Sequence, residues 1–212
     1  MKIAPRVWKV CGMRDADNLR AVSKLQPDYM GFIFYDSSPR FVGDSFRIPN
    51  DLPTHVKRVG VFVNEDMDRV QQLVQKHQLD FVQLHGDESV AYAQELKSKV
   101  GVIKVFRVDA DFDFCSTSEY ESAADFFLFD TKGKHYGGNA FRFDWNLLGK
   151  YTGNTPFFLS GGISESNIQD LEDFHHKMFF GIDINSGVEE QPAIKSVDKI
   201  KSLLNSLNKI RP

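Results

Sequence analysis

Cys11 closes the apolar run in "VWKVCGMRD", and Asp130 closes the one in "LFDT". A thiolate and a carboxylic acid facing one small substrate can exchange protons with it, one as base and the other as acid. Their reference pKa values, about 8.5 and about 3.9, suit neither to that work at neutral pH, so the surroundings would have to tune both. Each also has a plainer reading. A free cysteine at a strand end can be a small buried hydrophobe, and the aspartate can be a turn or cap residue. Arg40, in "SSPRFV", carries a planar guanidinium suited to holding a carboxylate through two parallel hydrogen bonds, although a loop arginine can equally be a solvated one. His85, before Gly86, is a packed polar residue or one that lines a pocket.

Two glycine-containing segments complete the set. "SGG" ends with Gly161 and Gly162, and Asp183 leads into "NSGVEE", which contains Ser186 and Gly187. Glycine pairs alone mark only turns. Together, these small residues leave backbone N–H groups free to surround an anion, which points to a phosphorylated ligand. Glu189 and Glu190 weigh against a simple electrostatic trap, so backbone donors would have to do most of the binding.

These residues share a context: each follows an apolar run. Eight such runs, Val7–Val10, Tyr29–Phe34, Lys57–Val63, Phe81–Leu84, Val102–Val108, Phe126–Phe129, Pro156–Leu159 and Phe180–Ile184, are mostly continuous rather than alternating. That pattern belongs to parallel strands covered on both faces. Their starts are about 20 to 30 residues apart, the length of one βα unit. Residues 66–77 and 197–207 place apolar side chains at helical spacing, and Asp15 and Ser164 stand where helix N-caps would be expected. The segment "SSPRFVGDSFRIPNDLP" is too rich in breakers for more than a short helix. Eight β-then-α units predict an α/β fold, a single (β/α)8 TIM barrel over residues 1–212 with a parallel eight-stranded core. Such a fold gathers functional residues at the C-terminal ends of its strands.

Composition narrows the function. The 212 residues are 42% hydrophobic, with 19 phenylalanines, and 26% charged, at a net charge of -3. No basic footprint for nucleic acid and no cationic face for a membrane is present, so small-molecule chemistry is expected. Two cysteines are too few for a disulfide framework and lack zinc-site spacing. Lys2, Arg6 and Lys9 interrupt the apolar residues of the N-terminal stretch, which excludes a signal-peptide core there, and the chain is expected to be cytoplasmic.

The segments "KVCGMRD", "GFIFYDSSPRFV", "VGVFVNED", "FVQLHGDES", "LFDTKGKHYGGNAFRFDW", "FFLSGGISESN" and "DINSGVEEQP" together closely resemble phosphoribosylanthranilate isomerases of tryptophan biosynthesis, in order from about Lys9 to Ile200. The resemblance implies an aldose-ketose isomerase that carries out an Amadori rearrangement of N-(5'-phosphoribosyl)anthranilate, a phosphosugar, without cofactor or metal. By motif it implies Cys11 as general base, Asp130 as general acid and Arg40 on the anthranilate carboxylate. Gly161, Gly162, Ser186 and Gly187 would hold the phosphate, with His85 and Asp183 in the pocket. The family's "GGTG" reads "GGNA" here, at 137–140, and Ala140 adopts positive φ less freely than glycine. Other phosphosugar barrels resemble the chain in the phosphate loops alone. A noncatalytic sugar-phosphate binder would have no use for Cys11 and Asp130. Among oligomeric states, the monomer is expected.

Overall fold

The computed structural model describes residues 7–133, 143–171 and 174–210. Eight parallel strands, β1 (Val7–Val10), β2 (Tyr29–Ile33), β3 (Lys57–Phe62), β4 (Phe81–Leu84), β5 (Gly101–Val108), β6 (Phe126–Thr131), β7 (Phe157–Leu159) and β8 (Phe179–Ile184), pair in sequence order. β8 returns to β1 with Val7 opposite Gly181 and Val10 opposite Ile184, which closes the barrel. The expected barrel is therefore present, with each strand within two residues of the run that indicates it.

The helical layer is thinner than expected. Among the described residues, four α-helices cover the barrel: α1 (Ala16–Ser23), α2 (Met67–His77), α3 (Val90–Lys97) and α4 (Val197–Ile210). Asp15 caps α1 as its sequence position suggests, its side chain accepting from the Asn18 N–H at 2.8 Å. After β5, β6 and β7, the described segments form only short 3-10 turns, at Phe114–Tyr120, Trp145–Lys150 and Ile168–Leu171. In the first of these, the hydroxyls of Ser116, Thr117 and Ser118 each donate to the carbonyl three residues back. Such bonds compete with the α-helical ladder. Ser164 bonds Ser166 side chain to side chain instead of capping an α-helix. Between β2 and β3 the breaker-rich segment forms no helix, only an isolated bridge from Ile33 to Phe41.

The phenylalanines explain how the barrel is filled. Inside, at the N-terminal end, Tyr29, Phe81, Phe126, Phe158 and Phe180 pack ring against ring, with centroids 4.5 to 6.5 Å apart. Edge-to-face and tilted contacts of this kind contribute beyond their buried area. Packed with them in one cluster are Val59, Ile103, Val105 and Leu128, all buried. This floor leaves only the C-terminal end of the barrel for a site. Among the described residues, no helix is long and apolar enough to cross a membrane.

Candidate active site

Side chains alternate along each strand, so alternate residues point inward. On β4 this selects Phe81 and Gln83, with His85 just beyond; on β6 it selects Phe126, Leu128 and Asp130. The uppermost of these open into a cavity at the barrel mouth. Cys11, His85, Asp130 and Asp183 line it, together with Gly161 and Gly162 after β7 and Ser186 and Gly187 after β8. Every candidate named from the sequence except Arg40 is on that wall. Residues 137–140, where the glycine-rich loop departs from the family pattern, lie outside the described residues.

Asp130 is 7% exposed. Its Oδ1 accepts the Thr131 N–H at 2.8 Å, while Oδ2 faces the Nε2 of His85 at 3.4 Å. The other ring nitrogen of His85 lies 3.2 Å from the side-chain nitrogen of Gln83. With the Gln83 amide donating to Nδ1, the imidazole carries its proton on Nε2, toward Asp130. Gln83 gave no sign in the sequence beyond being a polar residue in an apolar strand, two positions before His85.

Cys11 is 4% exposed, and its sulfur packs over Gly31, where an added Cβ would stand 2.7 Å from it. Lys9, two residues earlier on β1, is the register partner of Asp183 on β8, and its Nζ reaches Asp183 Oδ1 at 2.8 Å. Burial pushes the Cys11 thiol up, against the downward pull of Lys9 and Lys195, and the thiol stands above its usual range. For the Lys9 ammonium, burial works downward, yet Asp183 and Cys11 outweigh it and hold the charge. Lys9 was legible only as a charge inside an apolar strand.

The two loops after β7 and β8 approach closely. A Cβ on Gly187 would overlap the carbonyl oxygen of Ile163. Gly161 and Gly162 have φ of +88° and +73°, a region that side-chain-bearing residues seldom adopt. Among the described residues, the N–H groups of Gly161, Gly162, Ser186 and Gly187 donate to no protein acceptor. Backbone donors left free in this way can receive an anion.

Arg40 differs from its expected placement. Its Nε and Nη2 donate to the two carboxylate oxygens of Glu189 at 2.9 and 2.7 Å, and the pair is buried. Glu189 also accepts from the Lys195 ammonium at 2.6 Å and the Ala193 N–H at 3.0 Å. Burial works to raise the Glu189 carboxyl, but Arg40 and Lys195 hold it below its usual range. Burial in turn draws Lys195 down to about 8. Both Glu189 and Lys195 belong to a hairpin, β9 (Glu189–Gln191) with β10 (Ile194–Lys195), which the sequence did not announce. Glu189, whose charge opposes an anion site, instead takes the fork of Arg40.

Among the described residues, no three His, Cys, Asp or Glu side chains converge as a metal site. A parallel barrel with two glycine-rich loops and a thiol, an imidazole and carboxylates at its C-terminal mouth defines a (β/α)8 enzyme. The family model for N-(5'-phosphoribosyl)anthranilate isomerase matches residues 8–206. The protein of that name from Parabacteroides distasonis is 42% identical over 208 residues, covering 95% of this chain and 93% of the relative. The crystal structure of phosphoribosyl anthranilate isomerase from Thermotoga maritima superposes with a TM-score of 0.85 at 31% identity, covering 96% of this chain and 98% of that one. Another solved isomerase, in complex with reduced 1-(o-carboxyphenylamino)-1-deoxyribulose 5-phosphate, gives a TM-score of 0.82 at 30% identity, with 96% and 98% covered. The chain belongs to the N-(5'-phosphoribosyl)anthranilate isomerase family, and is an isomerase of tryptophan biosynthesis.

Proposed function

We propose that the chain converts N-(5'-phosphoribosyl)anthranilate to 1-(2-carboxyphenylamino)-1-deoxyribulose 5-phosphate, with Asp130 as general acid and Cys11 as general base. The observation that carries this reading is the opening of Cys11 and Asp130 onto the same cavity as the two glycine loops. Phosphate bound by Gly161, Gly162, Ser186 and Gly187 leaves the ribose between the two side chains.

As general acid, Asp130 gives a proton to the ribose ring oxygen as the C1'–O bond breaks and the amine lone pair forms the C1'=N bond. Cys11 as thiolate then takes the C2' proton, that electron pair becomes the C1'=C2' bond of an enolamine, and the C1'=N π pair returns to the nitrogen. The 2'-hydroxyl loses its proton as C1' gains one, which leaves the ketone at C2'. Atoms and charge balance, and no external oxidant or reductant enters.

The anthranilate carboxylate is assigned to Arg40. It competes with Glu189 for the same pair of donors, and Lys195 retains Glu189 when Arg40 turns to the substrate. The reaction is assigned to the cytoplasm, where Cys11 stays reduced.

The test follows the fluorescence of phosphoribosylanthranilate formed in situ, against its spontaneous decay. Purified protein is expected to accelerate the loss, and Cys11→Ala and Asp130→Asn to abolish the acceleration. A folded wild-type protein that never exceeds the spontaneous rate sinks the proposal. Near-normal turnover by folded Cys11→Ala removes the base from it.

A further inference from the structure

Lys9 lies inside the barrel at 0% exposure, yet it is absent from the wall of the cavity. An ammonium buried this deeply is costly unless paired, and Asp183 at 2.8 Å supplies one partner. The second is Cys11, which continues the inward face of β1 two residues on, so that the buried ammonium and the thiol act on each other through their charges. Gly31 and the apolar Ile33 and Val61, with the Tyr35 ring, pack around the sulfur. The charged groups acting on Cys11 are Lys9 from β1, Asp183 from β8 and Lys195 from β10.

We propose that the Lys9–Asp183 pair is a positioning device for Cys11, in which the lysine aims the sulfur and favours its thiolate while the aspartate holds the lysine and tempers its pull. The proposal rests on Cys11 being the base. Lys9 touches no substrate and acts through the thiol alone. A purely structural ion pair could be exchanged for an apolar pair of similar volume with little effect on the cysteine. A positioning pair cannot, because its two members act on the sulfur with opposite sign.

That opposition is the test. In a Cys115→Ser background, which removes the exposed second thiol, the ionisation of Cys11 is followed by thiolate absorbance and by the rate of alkylation against pH. Lys9→Met is expected to move the midpoint up by on the order of one unit, about tenfold less thiolate at a given pH, and Asp183→Asn to move it down. In turnover, Lys9→Met should lower kcat near neutrality, regain it at alkaline pH and leave KM nearly unchanged. Midpoints that stay put, or that move the same way in both variants, overturn the proposal. Should Lys9→Met fail to fold, Asp183→Asn decides alone: a fall supports the device, and no change or a rise refutes it. Because the readout is the thiol itself, this result stands apart from any failure of the isomerase assay or of Cys11→Ala.

Discussion

His85 Nε2 faces Asp130 Oδ2 across 3.4 Å, from the ends of β4 and β6, two strands apart around the barrel mouth. That spacing is long for a hydrogen bond but only a few tenths of an ångström from a good one. Held on its far side by Gln83, the imidazole has one direction in which to donate. His85→Ala should therefore lower kcat by about tenfold to a hundredfold, the worth of a hydrogen bond to a charged group. His85→Gln, which keeps a donor, should lose less. Equal losses in the two variants would mean that the ring only fills space.

Gly187 is where the loops after β7 and β8 touch. Alanine there would push the Cβ into the Ile163 carbonyl oxygen and force the loops apart. Gly187→Ala is expected to weaken binding of the phosphorylated product at least about tenfold, since the backbone donors converge only at this separation. Calorimetric titration with product measures it, with Gly149→Ala, where an added Cβ meets nothing within 4 Å, as the control.

The segment "HGDE" is locked by a buried pair outside the cavity. The Glu88 carboxylate accepts from Lys104 Nζ at 2.8 Å and from the N–H groups of Gly86 and Asn64. Removing the lysine strands a buried carboxylate, so Lys104→Met should destabilise the fold by about 3–5 kcal/mol in urea unfolding. The double variant Glu88→Gln, Lys104→Met should recover part of that loss. A single variant as stable as wild type would show the pair to be dispensable.

His77 makes stability depend on pH. It is buried against Phe34 and Phe46, and burial, reinforced by Lys76, Arg47 and Arg58, draws its pKa from 6.5 to about 4. Below pH 6.5 the unfolded chain takes up a proton that the folded chain refuses. Stability present above 6.5 is thus lost as pH falls toward 4. The urea midpoint of wild type should drop through this window more steeply than that of His77→Phe. Parallel curves would contradict the assignment.

The sequence by itself determined the barrel, because apolar runs buried on both faces leave a mark that needs no knowledge of neighbours: Val7–Val10, Phe81–Leu84 and the rest read as strands in isolation. It also placed Cys11, Asp130 and the two glycine segments on one rim, since a parallel barrel puts every strand end on the same side. Only the tertiary structure decided which charges meet. Lys9 and Asp183 are 174 positions apart and become partners solely because β8 closes onto β1 in one register. Arg40 and Glu189 are 149 apart, and no local pattern could reveal that a hairpin after β8 would deliver the glutamate to the arginine. Local periodicity is a property of neighbouring residues and is written along the chain. Electrostatic pairing depends on ångström distances between remote segments, which exist only once the barrel has closed.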